Sequence, residues 1–145
     1  MAGVGDLASF QLATNTLQNL VQAFSGLNTT VNGAAAKIWD AFAEVDLVYG
    51  LTLTPDFSTG FNFSVTLTGN TTLETPTNAK PGQTGVIYIT QDGVGSRTMA
   101  FSSAWVFVGG TTPVLSTAVN DLDMLFYRVR SPTAIYGNLV KNVRA

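Results

Sequence analysis

The sequence predicts a mainly β protein with an N-terminal α segment: a helical oligomerisation stalk at residues 1–46, then an antiparallel β-sandwich or barrel at residues 47–145. Three observations support this fold class. Apolar residues recur at alternating steps of three and four from Phe10 to Val45, which is a heptad repeat. After Asp46, apolar residues alternate with polar ones, as in strands with one buried face. Turn residues separate these segments at short intervals, which favours an antiparallel sandwich or barrel.

The heptad repeat places an apolar seam along one side of a helix whose predicted N-cap is Asp6. We predict that the seam mediates oligomerisation, because soluble monomers rarely expose an apolar row of this length. The flanking positions are almost uncharged, and large residues alternate with alanine, so the heptads do not determine the number of chains. The seam residues are Phe10, Ala13, Leu17, Leu20, Phe24, Leu27, Val31, Ala34 and Ile38.

The segment 25–33 is the weak part of this helix, because it contains two glycines, two threonines and two asparagines, which lower helix propensity. The alternative is a hairpin of two helices, at 6–24 and 34–45. Leu27 and Val31 continue the seam through the segment, which favours one helix that is continuous or slightly kinked.

Alternation and turn residues together define the strands of the second domain. Gly69-Asn70 predicts a tight turn that pairs the first two strands as a hairpin, and Asp92-Gly93 does the same for the third and fourth. The predicted strands are 61–68, 71–75, 84–90, 97–101, 105–108, 122–129 and 134–140.

Composition excludes several functions. The 145 residues include no cysteine and no histidine, which removes Ser-His-Asp and Cys-His triads and ordinary zinc sites. We predict no catalytic residue, no metal and no cofactor. Seven basic residues are scattered and the net charge is −2, so nucleic acid is not expected as a partner. The N-terminus lacks the pattern of a secretion signal, and no apolar run approaches the roughly 20 residues that span a bilayer, so no membrane is expected either.

Several stretches resemble a known family. They are VTLTGNTTLETPTNAKPGQTGVIYITQDGVGSRTMAF, GGTTPVLSTAVNDLDMLFYRV and YGNLVK, which lie between about Phe61 and the C-terminus. This region is similar to β-sandwich modules in the virion appendages of tailed bacteriophages, such as tail fibres and head fibres. The resemblance implies a β-rich, homotrimeric structural module of the virion, often behind a helical or fibrous stalk, and it implies no active site. Because the chain is short, a spike or capsid-decoration protein is as consistent with the resemblance as a tail fibre.

A few residues are candidates for binding a small ligand. Host surface glycans are recognised by polar loops beside an aromatic ring, and the residues that could supply both are Asp92, Arg97, Trp105 and Tyr136. Trp105 shares a face with Phe107, which favours a core or subunit-interface position for its indole over a ligand-binding one.

Two other motifs have ordinary structural explanations. Asn120, Asp121 and Asp123 could ligate calcium together with Asp92 or Asp56 from another loop, but we favour loop and helix-cap hydrogen bonding as their role. The run 93–97 (GVGSR) contains the glycines of a phosphate-binding loop, yet it lacks that motif's lysine and following helix. We interpret it as a turn.

The sequence therefore predicts a structural virion protein, a homotrimeric fibre, spike or capsid-decoration subunit with other virion proteins as partners. The alternative is a receptor-binding module of a phage fibre that recognises host glycans. A third interpretation is a small adhesin-like domain outside any virus.

Overall fold

A computed structural model of the chain describes residues 4–143. The chain divides into two compact units, Met1–Trp39 and Asp40–Ala145. The described part of the first unit is helical, and the second unit contains the sheets.

Helix α1 runs without interruption from Val4 to Phe42, so the two-helix hairpin is excluded. The threonines at the weak segment are accommodated because Thr29 and Thr30 donate their hydroxyl hydrogens to carbonyl oxygens four residues earlier. Asp6 lies inside the first turn and is not the N-cap.

The helix ends where the β unit supplies hydrogen-bond donors to its last carbonyls. The backbone N–H of Phe61 donates to the Ala41 carbonyl at 2.9 Å, and the Asn62 side chain donates to the Phe42 carbonyl at 2.7 Å. These bonds satisfy acceptors that a helix end leaves open. Val45, the last residue of the heptad run, therefore belongs to a strand and not to the helix.

Within residues 4–143, nine strands follow the helix, with a 3₁₀ turn at Val108–Gly110. Their bounds are β1 Glu44–Asp46, β2 Thr52–Leu53, β3 Asn62–Leu67, β4 Thr71–Leu73, β5 Thr84–Gln91, β6 Met99–Phe101, β7 Trp105–Phe107, β8 Leu122–Ser131 and β9 Ala134–Val140. The prediction of a mainly β chain with an N-terminal helix is confirmed.

The first six strands alternate between two sheets. Strands β1, β3 and β5 lie side by side and parallel in one sheet, and β2, β4 and β6 do the same in the other. Each pair of consecutive strands therefore adds one strand to each sheet, which is the winding of a short β-solenoid with three turns.

An antiparallel hairpin closes the winding on one side. Strand β8 pairs antiparallel with β5, β9 pairs antiparallel with β8, and β7 pairs parallel with β9. The larger sheet thus has six strands in the order β1-β3-β5-β8-β9-β7, and the smaller has three in the order β2-β4-β6.

The predicted antiparallel order is wrong for most strand pairs. The turn at Gly69-Asn70 leads from β3 in the larger sheet to β4 in the smaller one, and the loop after β5 leads to β6 in the smaller sheet. Neither predicted hairpin forms, because these turns carry the chain across to the opposite sheet. The last two predicted strands, β8 and β9, do pair as an antiparallel hairpin.

The inward faces of both sheets share one apolar core. The smaller sheet contributes Leu53, Leu73 and Met99 to this core. The larger sheet contributes Phe63, Val65, Leu67, Ile87, Ile89, Trp105, Leu125, Tyr127, Val129 and Ile135. The core thus fixes which face of each strand points outward.

Gly85 in β5 allows a close backbone approach. A Cβ placed there would lie 1.7 Å from the carbonyl oxygen of Phe61. The same carbonyl accepts a hydrogen bond from the Tyr127 hydroxyl at 2.7 Å, so any side chain at Gly85 would displace this junction.

Candidate assembly surface and loop sites

The seam of α1 is an exposed apolar surface. All nine predicted seam residues are exposed in the single chain, and the seven larger ones each expose between 50% and 71% of their area. They share one side of the helix because steps of three and four residues return to the same face. Leu7, Val21 and Phe42, which flank the seam, are also exposed and widen the apolar surface.

Away from the seam and the apolar residues that flank it, the surface of α1 between residues 7 and 36 carries polar but uncharged side chains. No charged residue occurs between Asp6 and Lys37. Polar side chains satisfy one another locally: Gln11 donates to the Asn15 side chain at 3.0 Å, and Thr14 donates to the Phe10 carbonyl at 3.0 Å. The chemistry available here is apolar packing against another helix, without ion pairs to direct it. No helix in the described part of the chain has the length and apolar character needed to cross a membrane.

Asp92 and Arg97 are brought together in the loop after β5. The guanidinium Nη2 lies 2.8 Å from a carboxylate oxygen of Asp92, and the other oxygen accepts the N–H groups of Val94 and Gly95. The Arg97 hydrogen bond is the main reason that the pKa of Asp92 falls to about 2, because each of these donors favours the ionised carboxylate. Gln91 adds to the loop by accepting the Arg97 N–H at 2.8 Å. The pair therefore holds this loop in one conformation.

Trp105 lies in the core. Only 5% of its area is exposed, and its Nε1–H donates to the Glu74 carbonyl at 3.1 Å. Its ring packs edge-on against Phe101 and Tyr127. The indole does not present a face on which a sugar could stack.

Tyr136 lies on the opposite face of the sheet from Trp105. In the β7–β9 register Trp105 is opposite the buried Ile135, whereas Tyr136 is opposite Val106. The Tyr136 ring is 43% exposed, and the Arg130 guanidinium carbon lies 5.9 Å from its centroid. Of the four predicted ligand residues, the structure therefore brings Asp92 and Arg97 together and separates Trp105 from Tyr136.

The acidic residues near β8 act in hydrogen bonding within the fold. Buried Asp123 accepts the backbone N–H groups of Ser116 and Asn142, at 2.7 and 2.8 Å, and Asp121 accepts the N–H of Ala118. These carboxylates tie the segments before and after the β8–β9 hairpin to β8. Within residues 4–143, no group of three or more acidic residues is placed to hold a metal ion.

Four outward residues of the larger sheet were not predicted from the sequence as candidates for a site. Phe126 and Arg128 on β8, and Glu44 and Asp46 on β1, all point away from the core. The period-two pattern of β8 could have predicted that Phe126 and Arg128 point outward. The residues that alternate with them, Leu125, Tyr127 and Val129, are buried in the core cluster.

A family model matches residues 53–125, about half of the chain, and its description is "Putative phage tail fibre C-terminal domain". The matched region begins at the end of β2, contains β3 to β7 and ends within β8, so it covers the second and third parallel turns. No curated protein and no solved structure matches the chain.

The fold and the matched region define a β module of the phage fibre class. The chain belongs to the family of phage tail fibre C-terminal domains, and it is a virion-associated structural protein of bacteriophage type. This confirms the tail-fibre part of the resemblance seen in the sequence.

Proposed function

We propose that the protein is a homotrimeric structural subunit of a phage fibre, spike or capsid decoration, and that α1 assembles three copies through a coiled coil. The main supporting observation is the uninterrupted 39-residue helix with its exposed seam. A lone helix of this kind leaves apolar area in water, whereas knobs-into-holes packing would bury it. Membership of a tail-fibre family supports a role in binding other virion proteins. No catalytic role is proposed.

The native mass in solution tests this proposal. Light scattering on the full chain at micromolar concentrations should give three times the 15.3 kDa monomer mass. A stable monomer would overturn the proposed assembly. A dimer or a tetramer would keep the assembly but correct its order, which the heptads leave open.

Recognition of host glycans is a second proposal. Its support is the half-exposed ring of Tyr136 beside Asn138 and Arg128, at a shallow groove of about 360 Å³. Tyr136→Ala should then lose binding to host cells without a change of native mass. Loss of mass together with binding would instead assign Tyr136 to an interface between subunits.

A further inference from the structure

The outward face of the six-stranded sheet has two chemically different sides. Its β7-β9-β8 side exposes apolar side chains in neighbouring register positions: Tyr136 is opposite Val106 and Arg128, and Phe126 is opposite Asn138. Phe126 exposes 44% of its area, although it belongs to a central strand. We call this the basic-aromatic side, because Arg128 and Arg130 also point outward on β8 and the Arg130 guanidinium lies near the Tyr136 ring.

The β1 side of the same face is acidic. Glu44 and Asp46 alternate with Val45, which packs against the core, so both carboxylates point outward. The Ser64 hydroxyl donates to Asp46 at 2.6 Å and fixes its carboxylate at the wall of a groove of about 510 Å³. No lysine or arginine lines this groove. We call this β1 side of the sheet the acidic side.

The two sides do not neutralise each other within one chain. Strands β3 and β5 separate β1 from β8, and three strand spacings of about 4.8 Å put the two sides roughly 14 Å apart. Among the outward residues of β8 and β9 there is no carboxylate. The acidic side therefore presents negative charge and the basic-aromatic side presents positive charge beside apolar rings, and both surfaces are open to a partner.

We propose that this face is a contact between copies of the chain, in which the acidic side of one β unit binds the basic-aromatic side of the next. This inference rests on the proposed self-assembly. A ring of three related by rotation needs two different, complementary patches on every subunit, and one face of this sheet supplies both. Opposite charges would fix which side meets which, while the aromatic rings supply apolar contact.

A second copy is the partner that the chain itself brings close. Glu44 follows Ile38, the last seam residue, by six residues, which span at most about 20 Å. A parallel assembly of the helices through the seam would therefore gather the acidic sides of all copies at one end of the coiled coil. At that distance the effective concentration of one β unit for another is high, so a weak complementary contact would suffice.

The contact is tested in the full chain with three variants, which reverse the charges on the acidic side, on the basic-aromatic side, or on both sides. The acid-reversed variant is Glu44→Lys with Asp46→Lys, the base-reversed variant is Arg128→Glu with Arg130→Glu, and the third variant combines all four. All four side chains are exposed, so folding should be preserved, which thermal unfolding checks. The measurement is the dissociation of the oligomer on dilution, followed by analytical ultracentrifugation.

Each single-sided reversal should raise the apparent dissociation constant by about tenfold or more, as measured coupling between close charge pairs indicates. The combined variant should return to near the wild-type value, which a merely structural effect would not produce. Salt gives a second readout: because residues 7–36 are uncharged, salt dependence of assembly should come from the β units. Raising NaCl from about 0.1 M to about 1 M shortens the Debye length from about 10 Å to about 3 Å and should weaken wild-type assembly more than that of either reversed variant.

The outcomes separate this inference from the proposed function. An oligomer whose dissociation and salt dependence are the same in all four proteins would overturn the contact while leaving assembly by the helix intact. A combined variant no tighter than the single-sided ones would also overturn it. Base reversal that leaves dissociation unchanged but abolishes binding to host cells would assign the surface to glycans. A wild-type monomer would overturn the proposed assembly itself.

Discussion

At the scale of single residues, Asp92 gives the folded chain a pH-dependent contribution to stability. Its pKa falls from an ordinary 3.8 to about 2, mainly through the hydrogen bond from Arg97. A carboxyl whose folded pKa is lowered stabilises the fold fully above its unfolded pKa and loses that contribution as pH falls toward the folded value. The window is therefore roughly pH 4 down to pH 2.

Asp92→Asn should remove this contribution to stability. We expect the variant to unfold at a lower temperature than wild type at pH 6, with the difference shrinking as pH falls from about 4 to 2, measured by thermal unfolding. Glu74→Gln is the control, since no ion pair of Glu74 occurs among residues 4–143. A constant difference between Asp92→Asn and wild type across this range would show that the ion pair does not titrate as proposed.

Trp105 is the second residue whose role can be measured. Trp105→Ala should lower the free energy of unfolding by about 3–5 kcal/mol, because it empties a core aromatic site. Trp105→Phe keeps an aromatic ring but loses the hydrogen bond to the Glu74 carbonyl, so a smaller loss is expected. Chemical denaturation measures both. Unchanged stability with lost binding to glycans would instead make Trp105 a ligand-binding residue.

These residues also show what side-chain type and spacing can predict. The alternation around Trp105 already favoured the core or a subunit interface, and the structure places the indole in the core. Asp92 and Arg97 are five residues apart, so a local turn could bring them together, and it does. The sequence could not show whether Tyr136 lies near Trp105 or near the Asp92–Arg97 pair, because its position depends on which strands lie beside β9.

At the scale of elements, the seam of α1 makes the sharpest prediction. Leu20→Asp should dissociate the assembly into monomers, since it forces one carboxylate from every copy into an apolar layer. Gln22→Asp is the matched control, because it adds the same charge on the outer side of the same helix turns. Native mass by light scattering checks both variants. An oligomer that survives Leu20→Asp but not Gln22→Asp would move the seam to the other side of the helix.

The elements themselves were mostly predictable, but their partners were not. The heptad period predicted one long helix through 25–33, where composition alone favoured a break, and the period-two pattern found seven of the nine strands. Strands β1 and β2 were missed because they are three and two residues long, too short for alternation to stand out. Pairing failed because alternation indicates which face of a strand is buried, not which strand lies next to it.

At the scale of the whole molecule, the two units should be separable. Every residue of the core cluster lies between Leu53 and Ile135, so the stability of the β unit has its own source. The fragment Asp40–Ala145 should therefore unfold cooperatively by itself, measured by circular dichroism, with a far weaker tendency to associate than the full chain. A fragment without a cooperative transition would mean that the β unit requires α1 to fold.

The alternation of strands between two sheets has a consequence for the size of the protein. Every turn of the winding advances the structure by one strand spacing, about 4.8 Å. A turn uses 18 residues where Glu44 pairs with Asn62 and 28 residues where Thr71 pairs with Met99. A chain with one extra turn inserted after β4 would keep the same helix and the same closing hairpin. The β unit can thus lengthen only in steps of one whole turn, so its length is a multiple of the strand spacing.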